Sequence, residues 1–136
     1  MENARHTMLL VDDTEINLDI LEGIFEADFI ILKALNGKQA LKVLKSQKVD
    51  IVILDVVMPE MDGLTLLTKI NEMRNPALKC IIVSAYGDME NIRTAMNHGA
   101  FDFATKPIDM EDLERTIEKR SSRFLLSRRP KRNIIS

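Results

Sequence analysis

With 136 residues, the chain has room for one compact domain with a sizeable core. Its 46% hydrophobic and 29% charged residues make an ordinary globular balance, and no apolar run approaches the roughly 20 residues of a membrane span. The net charge of −2 hides an asymmetry: residues 1–118 hold all 21 acids against 12 bases and carry −9, while residues 119–136 hold seven bases and no acid.

The first predicted element is a strand at 6–11, where Met8 to Val11 run into the adjacent carboxylates Asp12 and Asp13. No Lys or Arg lies between Arg5 and Lys33, so that pair has no local cation. A helix is predicted over 14–27 from Ile16, Ile20 and Ile24 at i, i+4 spacing, with Leu21 and Phe25 beside them. Residues 28–34 read as a strand. Residues 36–47 read as a helix with Ala40, Leu41 and Leu44 on one face. The apolar run 50–55 is a strand ended by Asp55, and the turn cluster 58–63 leads to a helix over 64–73. Residues 79–85 are a buried-strand run. The helix 88–99 has Asp88 as its N-cap and Gly99 as its stop. A short strand at 100–105 and a helix at 109–124, capped by Asp109, complete the pattern.

This is β-α five times over. Strands apolar throughout, with short links to helices, indicate a parallel sheet covered on both faces, an α/β doubly wound five-stranded architecture. The single cysteine, Cys80, can make no internal disulfide and reads as a small buried hydrophobe. His6 and His98 are too scattered to make a metal site. The N-terminus lacks a basic region followed by an apolar block, so no signal peptide is expected, and the setting is expected to be reducing and cytoplasmic.

Open parallel sheets place their sites beyond the carboxyl ends of the strands. Those ends carry Asp12 and Asp13, then Asp55, then Ser84, then Thr105, Lys106 and Pro107. Each has a plain reading: Asp13 as a helix cap, Asp55 as a turn cap, Ser84 as a core hydroxyl bonded to backbone, Lys106 as a solvated lysine. Together they offer three carboxylates for a hard divalent cation, a carboxylate nucleophile for phosphoryl groups, an ammonium clamp and a hydroxyl donor.

The strings LLVDD, LDVVMPEMDG, IIVSA and NHGAFDFATKP, in unbroken order over residues 6–124, resemble the receiver domain of two-component response regulators, the family of the chemotaxis protein CheY. The resemblance implies the flavodoxin-like fold with strand order 2-1-3-4-5. It implies a phosphorylation switch rather than an enzyme, with Asp55 as acceptor of a phosphoryl group from a sensor histidine kinase or a phosphotransfer protein. Asp12, Asp13, Asp55 and the backbone carbonyl of Val57 would hold Mg²⁺. Lys106 would contact the phosphoryl group, and its bond to Pro107 would be cis. Ser84 and Phe103 would be the switch pair, Phe103 lacking the hydroxyl of the tyrosine frequent there. Val57 and Tyr86 would set the rate of dephosphorylation, and neither can orient a water as an amide or carboxylate would, so slow loss of phosphate is expected. The outward effect would appear on the face of the fourth helix, fifth strand and fifth helix, as a dimer or partner surface around Met89, Ile92, Arg93, Met96, Phe103, Glu111, Arg115 and Glu118.

Two other classes fit less well. An aspartyl-phosphate hydrolase wants a general-acid carboxylate two residues past the nucleophile, where Val57 stands. A flavin carrier wants a hydroxyl-rich phosphate loop after the first strand, where Asp12 and Asp13 stand. The division expected is a receiver over 1–124 and a basic tail or linker over 125–136. The basic segment is open to three readings: a linker to an output domain, a polybasic contact, or a solvated tail. No DNA-binding module follows the receiver pattern, so direct DNA binding by this chain is not expected.

Overall fold

The computed structural model describes residues 5–55, 63–85 and 88–118. Five strands, β1 (His6–Val11), β2 (Phe29–Ala34), β3 (Ile51–Asp55), β4 (Lys79–Ala85) and β5 (Asp102–Lys106), alternate with five helices. These are α1 (Glu15–Phe25), α2 (Gly37–Ser46), α3 (Gly63–Glu72), α4 (Met89–Asn97) and α5 (Met110–Glu118). All four strand pairings are parallel, and the order is β2-β1-β3-β4-β5, as the resemblance implied. The chain therefore reverses direction of winding at β1/β3, the place where open sheets bind ligands.

Period-two alternation along the strands builds two cores. Met8, Leu10, Ile51, Ile53, Ile81 and Val83 face one side, under α1 and α5. Leu9, Val11, Val52, Leu54, Cys80 and Ile82 face the other, under α2, α3 and α4. The central strands are thus buried on both faces, which is why they read as unbroken apolar runs. In α1 the buried stripe is Leu18, Leu21, Ile24 and Phe25. Ile16, which the i, i+4 reading put on the same stripe, is 72% exposed. At about 100° per residue, Ile16 falls on the side of α1 opposite Leu18, Leu21 and Phe25, so it points away from the buried stripe.

Helix ends follow side-chain chemistry. Asn36 Oδ1 accepts from Gln39 N at 2.9 Å to start α2. Asp109 Oδ1 accepts from Glu111 N and Asp112 N at 3.0 and 3.3 Å to start α5. Gly99, at φ +101°, ends α4 where a side chain would be strained and a Cβ would lie 2.7 Å from Asn71 Oδ1. β5 starts two residues later than the strand expected at 100–105. Ala100 N donates back to Ala95 O and Phe101 N to Cys80 O, so both residues are spent closing α4 onto β4. The expected continuation of α5 to residue 124, the boundary there and the basic tail lie outside the described residues. So do Val57 and Tyr86.

Cys80 is 4% exposed, and burial pushes its thiol up to about 12. Since the thiolate is the reactive form, the native protein is expected to leave an aromatic disulfide reagent unreacted at pH 7–8. One thiol per chain should appear on addition of urea. Fast reaction without urea would contradict the packing described for β4. Among the described residues, no helix is long and apolar enough to cross a membrane.

Candidate functional site

The strand ends bring together most of the residues singled out in the sequence. Asp12 follows β1 and Asp55 ends β3; both are buried, while Asp13 is exposed. One carboxylate oxygen from each of Asp12, Asp13 and Asp55 lies within 4.8 Å of the other two. Lys106, at the end of β5, reaches across β4 and places Nζ 3.5 Å from Asp55 Oδ2. Its side chain is only 34% exposed, so the plain reading of a solvated lysine does not hold. The Lys106–Pro107 bond is cis. An apolar hollow lined by Ile20, Leu21, Ile24, Ile53 and Ile108 borders Asp12, Asp55 and Lys106 on one side. That wall keeps water from one flank and strengthens the attraction between Lys106 and Asp55.

Asp12 solves its charge problem differently from Asp55. Its Oδ1 accepts from Thr14 N at 3.0 Å and from Thr14 Oγ1 at 3.2 Å, and its Oδ2 accepts from Asn17 Nδ2 at 3.3 Å. These donors belong to the start of α1, whose positive end also faces the carboxylate. Thr14 is the N-cap of α1, its hydroxyl accepting from Asn17 N at 3.4 Å. The plain reading of Asp13 as the helix cap is therefore overturned: the cap is one residue further on, and Asp13 is left at the mouth of the site. The Asp12-x-Thr14 spacing, an Asx turn, was the available signal.

Ser84 is 2% exposed, on β4. Its hydroxyl does not bond backbone, as the plain reading had it, but donates to Asp88 Oδ2 at 3.4 Å. Asp88 caps α4 as expected, accepting from Asn91 N at 3.4 Å, and also takes Asn91 Nδ2 at 2.7 Å. Phe103 is 36% exposed, on the edge strand β5, and its N–H donates to Asp102 Oδ1 at 2.8 Å. Met89, Arg93 and Met96 on α4 and Glu111 and Arg115 on α5 are exposed, while Glu118 is half-buried. Ile92 is not part of that surface; it is 3% exposed and turned into the core.

The three oxygens fit a small hard cation. Carboxylate oxygens are the preferred protein donors of Mg²⁺, which takes one or two of them and completes its shell with waters and phosphate oxygens. The described donors are all oxygens, with none of the sulfur or imidazole ligands that would favour zinc.

The family model of the response regulator receiver domain matches residues 8–118. The transcriptional regulatory protein ZraR of Escherichia coli K12 is 36% identical over 113 residues, 82% of this chain and 25% of ZraR. The chain thus spans about a quarter of the length of the curated relatives it matches. The signal receiver domain of an HD domain-containing protein from Pseudomonas fluorescens Pf-5 superposes with a TM-score of 0.79 at 31% identity, over 85% of this chain and 94% of that one. The chemotaxis protein CheY4 of Vibrio cholerae shares the fold with a TM-score of 0.78 at 22% identity, over 85% of this chain and 98% of that one. The chain belongs to the receiver domain family of two-component response regulators.

Proposed function

We propose that the chain is a phosphorylation switch in which Asp55 accepts a phosphoryl group from a phosphohistidine on a sensor kinase or phosphotransfer protein. The observation that carries the reading is the pairing of Lys106 Nζ with Asp55 Oδ2 at 3.5 Å inside a trio of carboxylates. A carboxylate oxygen of Asp55 attacks phosphorus; the P–N bond of a phosphohistidine protonated at its other ring nitrogen breaks as the P–O bond forms, and the imidazole leaves neutral, keeping that proton and taking the P–N electron pair as its lone pair. Lys106 shifts from the carboxylate to an oxygen of the incoming phosphoryl group and balances its charge. Asp12, Asp13, Asp55 and the Val57 carbonyl would hold Mg²⁺, which neutralises phosphoryl charge when bound. Asp12 is kept in place for this by Thr14 and Asn17, so its orientation does not depend on the cation. Ser84 supplies a hydroxyl to the same strand edge, and Phe103 the aromatic side chain whose position reports its movement. The exposed face of α4, β5 and α5 is the surface through which the change reaches a partner or a second copy of the chain. Any output carried by a longer protein belongs to residues beyond this pattern.

The test is direct. With acetyl phosphate and Mg²⁺, the protein is expected to gain one base-labile, hydroxylamine-sensitive phosphate per chain, and excess EDTA should abolish the gain. Absence of labelling with Mg²⁺ present contradicts the reading.

Val57 and Tyr86 flank the acceptor and the switch hydroxyl in sequence, and neither side chain can act as a base toward water. The phosphorylated lifetime is therefore expected to be on the order of tens of minutes or longer. The double variant Val57→Asn with Tyr86→Glu should shorten it by about tenfold or more, as followed by loss of phosphate after donor removal. An unchanged rate would remove both residues from the account of dephosphorylation.

A further inference from the structure

We infer that Asp88 is a latch that holds the Ser84 hydroxyl away from Asp55 at rest, and that its strength sets how readily the site accepts a phosphoryl group. The inference rests on the phosphate-acceptor reading of Asp55. A serine hydroxyl has one proton to give. Here that proton goes to Asp88 Oδ2. While it does, Ser84 cannot donate to a phosphoryl oxygen on Asp55, the neighbouring strand end.

The geometry suits a latch that must open. The Ser84–Asp88 distance of 3.4 Å exceeds the usual 2.5–3.0 Å of an O–H···O bond, so the hold is weak. The same Asp88 oxygen receives Asn91 Nδ2 at 2.7 Å, a much shorter bond. When the hydroxyl leaves, Asp88 keeps that donor, and no half-buried carboxylate is stranded. Release therefore costs one long hydrogen bond. The carboxylate also caps α4 through Asn91 N, so the switch hydroxyl and the start of α4 share one acceptor. Asp88 acts through Ser84; it is a positioning residue, not a group that touches phosphorus.

Asp88→Asn separates the two roles. Asparagine caps helices as well as aspartate does, but its neutral oxygen is a weaker acceptor for the hydroxyl. The probe is beryllofluoride with Mg²⁺, a phosphoryl analogue that binds without chemistry, followed by its effect on protein NMR shifts or by calorimetry. Asp88→Asn is expected to bind it roughly threefold to tenfold more tightly than the wild type, with an unchanged melting temperature before addition. In a Ser84→Ala background the same substitution should change affinity by less than about 1.5-fold, because no hydroxyl is left to release. Equal or weaker binding by Asp88→Asn, or a gain that persists without Ser84, overturns the latch while leaving the acceptor reading intact. No binding by the wild type overturns the acceptor reading and the latch with it.

Discussion

Asp13→Ala is expected to lower Mg²⁺ affinity by at least about tenfold without destabilising the fold. The two halves of the prediction have separate causes. Asp13 is exposed at the mouth of a trio in which Asp12 and Asp55 are buried, so it contributes a charge that is free to meet an incoming cation. Removing one of three carboxylates takes away a ligand and about a third of the attracting charge. A tenfold loss corresponds to only about 1.4 kcal/mol, small beside the few kcal/mol that a unit charge exerts at 4 Å near a protein surface. The fold should not suffer, because α1 is capped by Thr14 and not by Asp13. In chelator the variant should even melt at the same or a slightly higher temperature, since three like charges become two. Calorimetric titration with Mg²⁺ and thermal melts in EDTA check both halves. Unchanged affinity, with a lower melting temperature, would return Asp13 to a capping role.

Phe25→Ala is expected to cost about 3–5 kcal/mol of folding stability. Phe25 has no exposed surface; its ring lies 6.1 Å from that of Phe29, edge to face at 75°. The substitution empties the lower end of the α1 core and loses the aromatic pair together. Against typical domain stabilities of about 5–15 kcal/mol the loss is large. It also reaches the site, since α1 and its N-cap carry Asn17 and Thr14, the residues that hold Asp12. Urea unfolding should show a lower midpoint with an unchanged slope. A loss under about 1 kcal/mol would mean that α1 packs less tightly on the sheet than described.

The fold was legible because its signals are local. Runs such as 51–54 and 80–83 have no polar side to offer, and the caps Asp88 and Asp109 sit where helical periodicity starts. The order of the strands was not legible from periodicity, which says nothing of neighbours; it came with the family strings. The site was legible as a set of strand ends, because a parallel sheet gathers them whatever the intervening sequence. Contacts made between elements were harder to see. The Asp12-Asp13 pair looked like two equal charges in need of a cation. Only the folded chain separates them, one satisfied by the turn into α1 and one left outward. Lys106 answers Asp55, not that pair, over 51 residues of sequence. Ser84 and Asp88 are four residues apart in sequence, yet one ends a strand and the other caps a helix. No periodicity links them; the end of β4 and the N-cap of α4 meet through the Ser84–Asp88 contact. Ile16 fitted the spacing with Ile20 and Ile24 and is nonetheless exposed, because the buried stripe of α1 is centred on Leu21 and Phe25, on the other side of the helix.

The central claim is that Asp55 is the residue that receives phosphate. The most direct measurement is to treat the wild type and Asp55→Asn with acetyl phosphate and Mg²⁺, weigh the intact chains, and map the modified peptide after hydroxylamine trapping. The account predicts one phosphate on the wild type, mapped to Asp55, and none on Asp55→Asn. A phosphate that persists at the same stoichiometry in Asp55→Asn, or that maps to another residue, would contradict it.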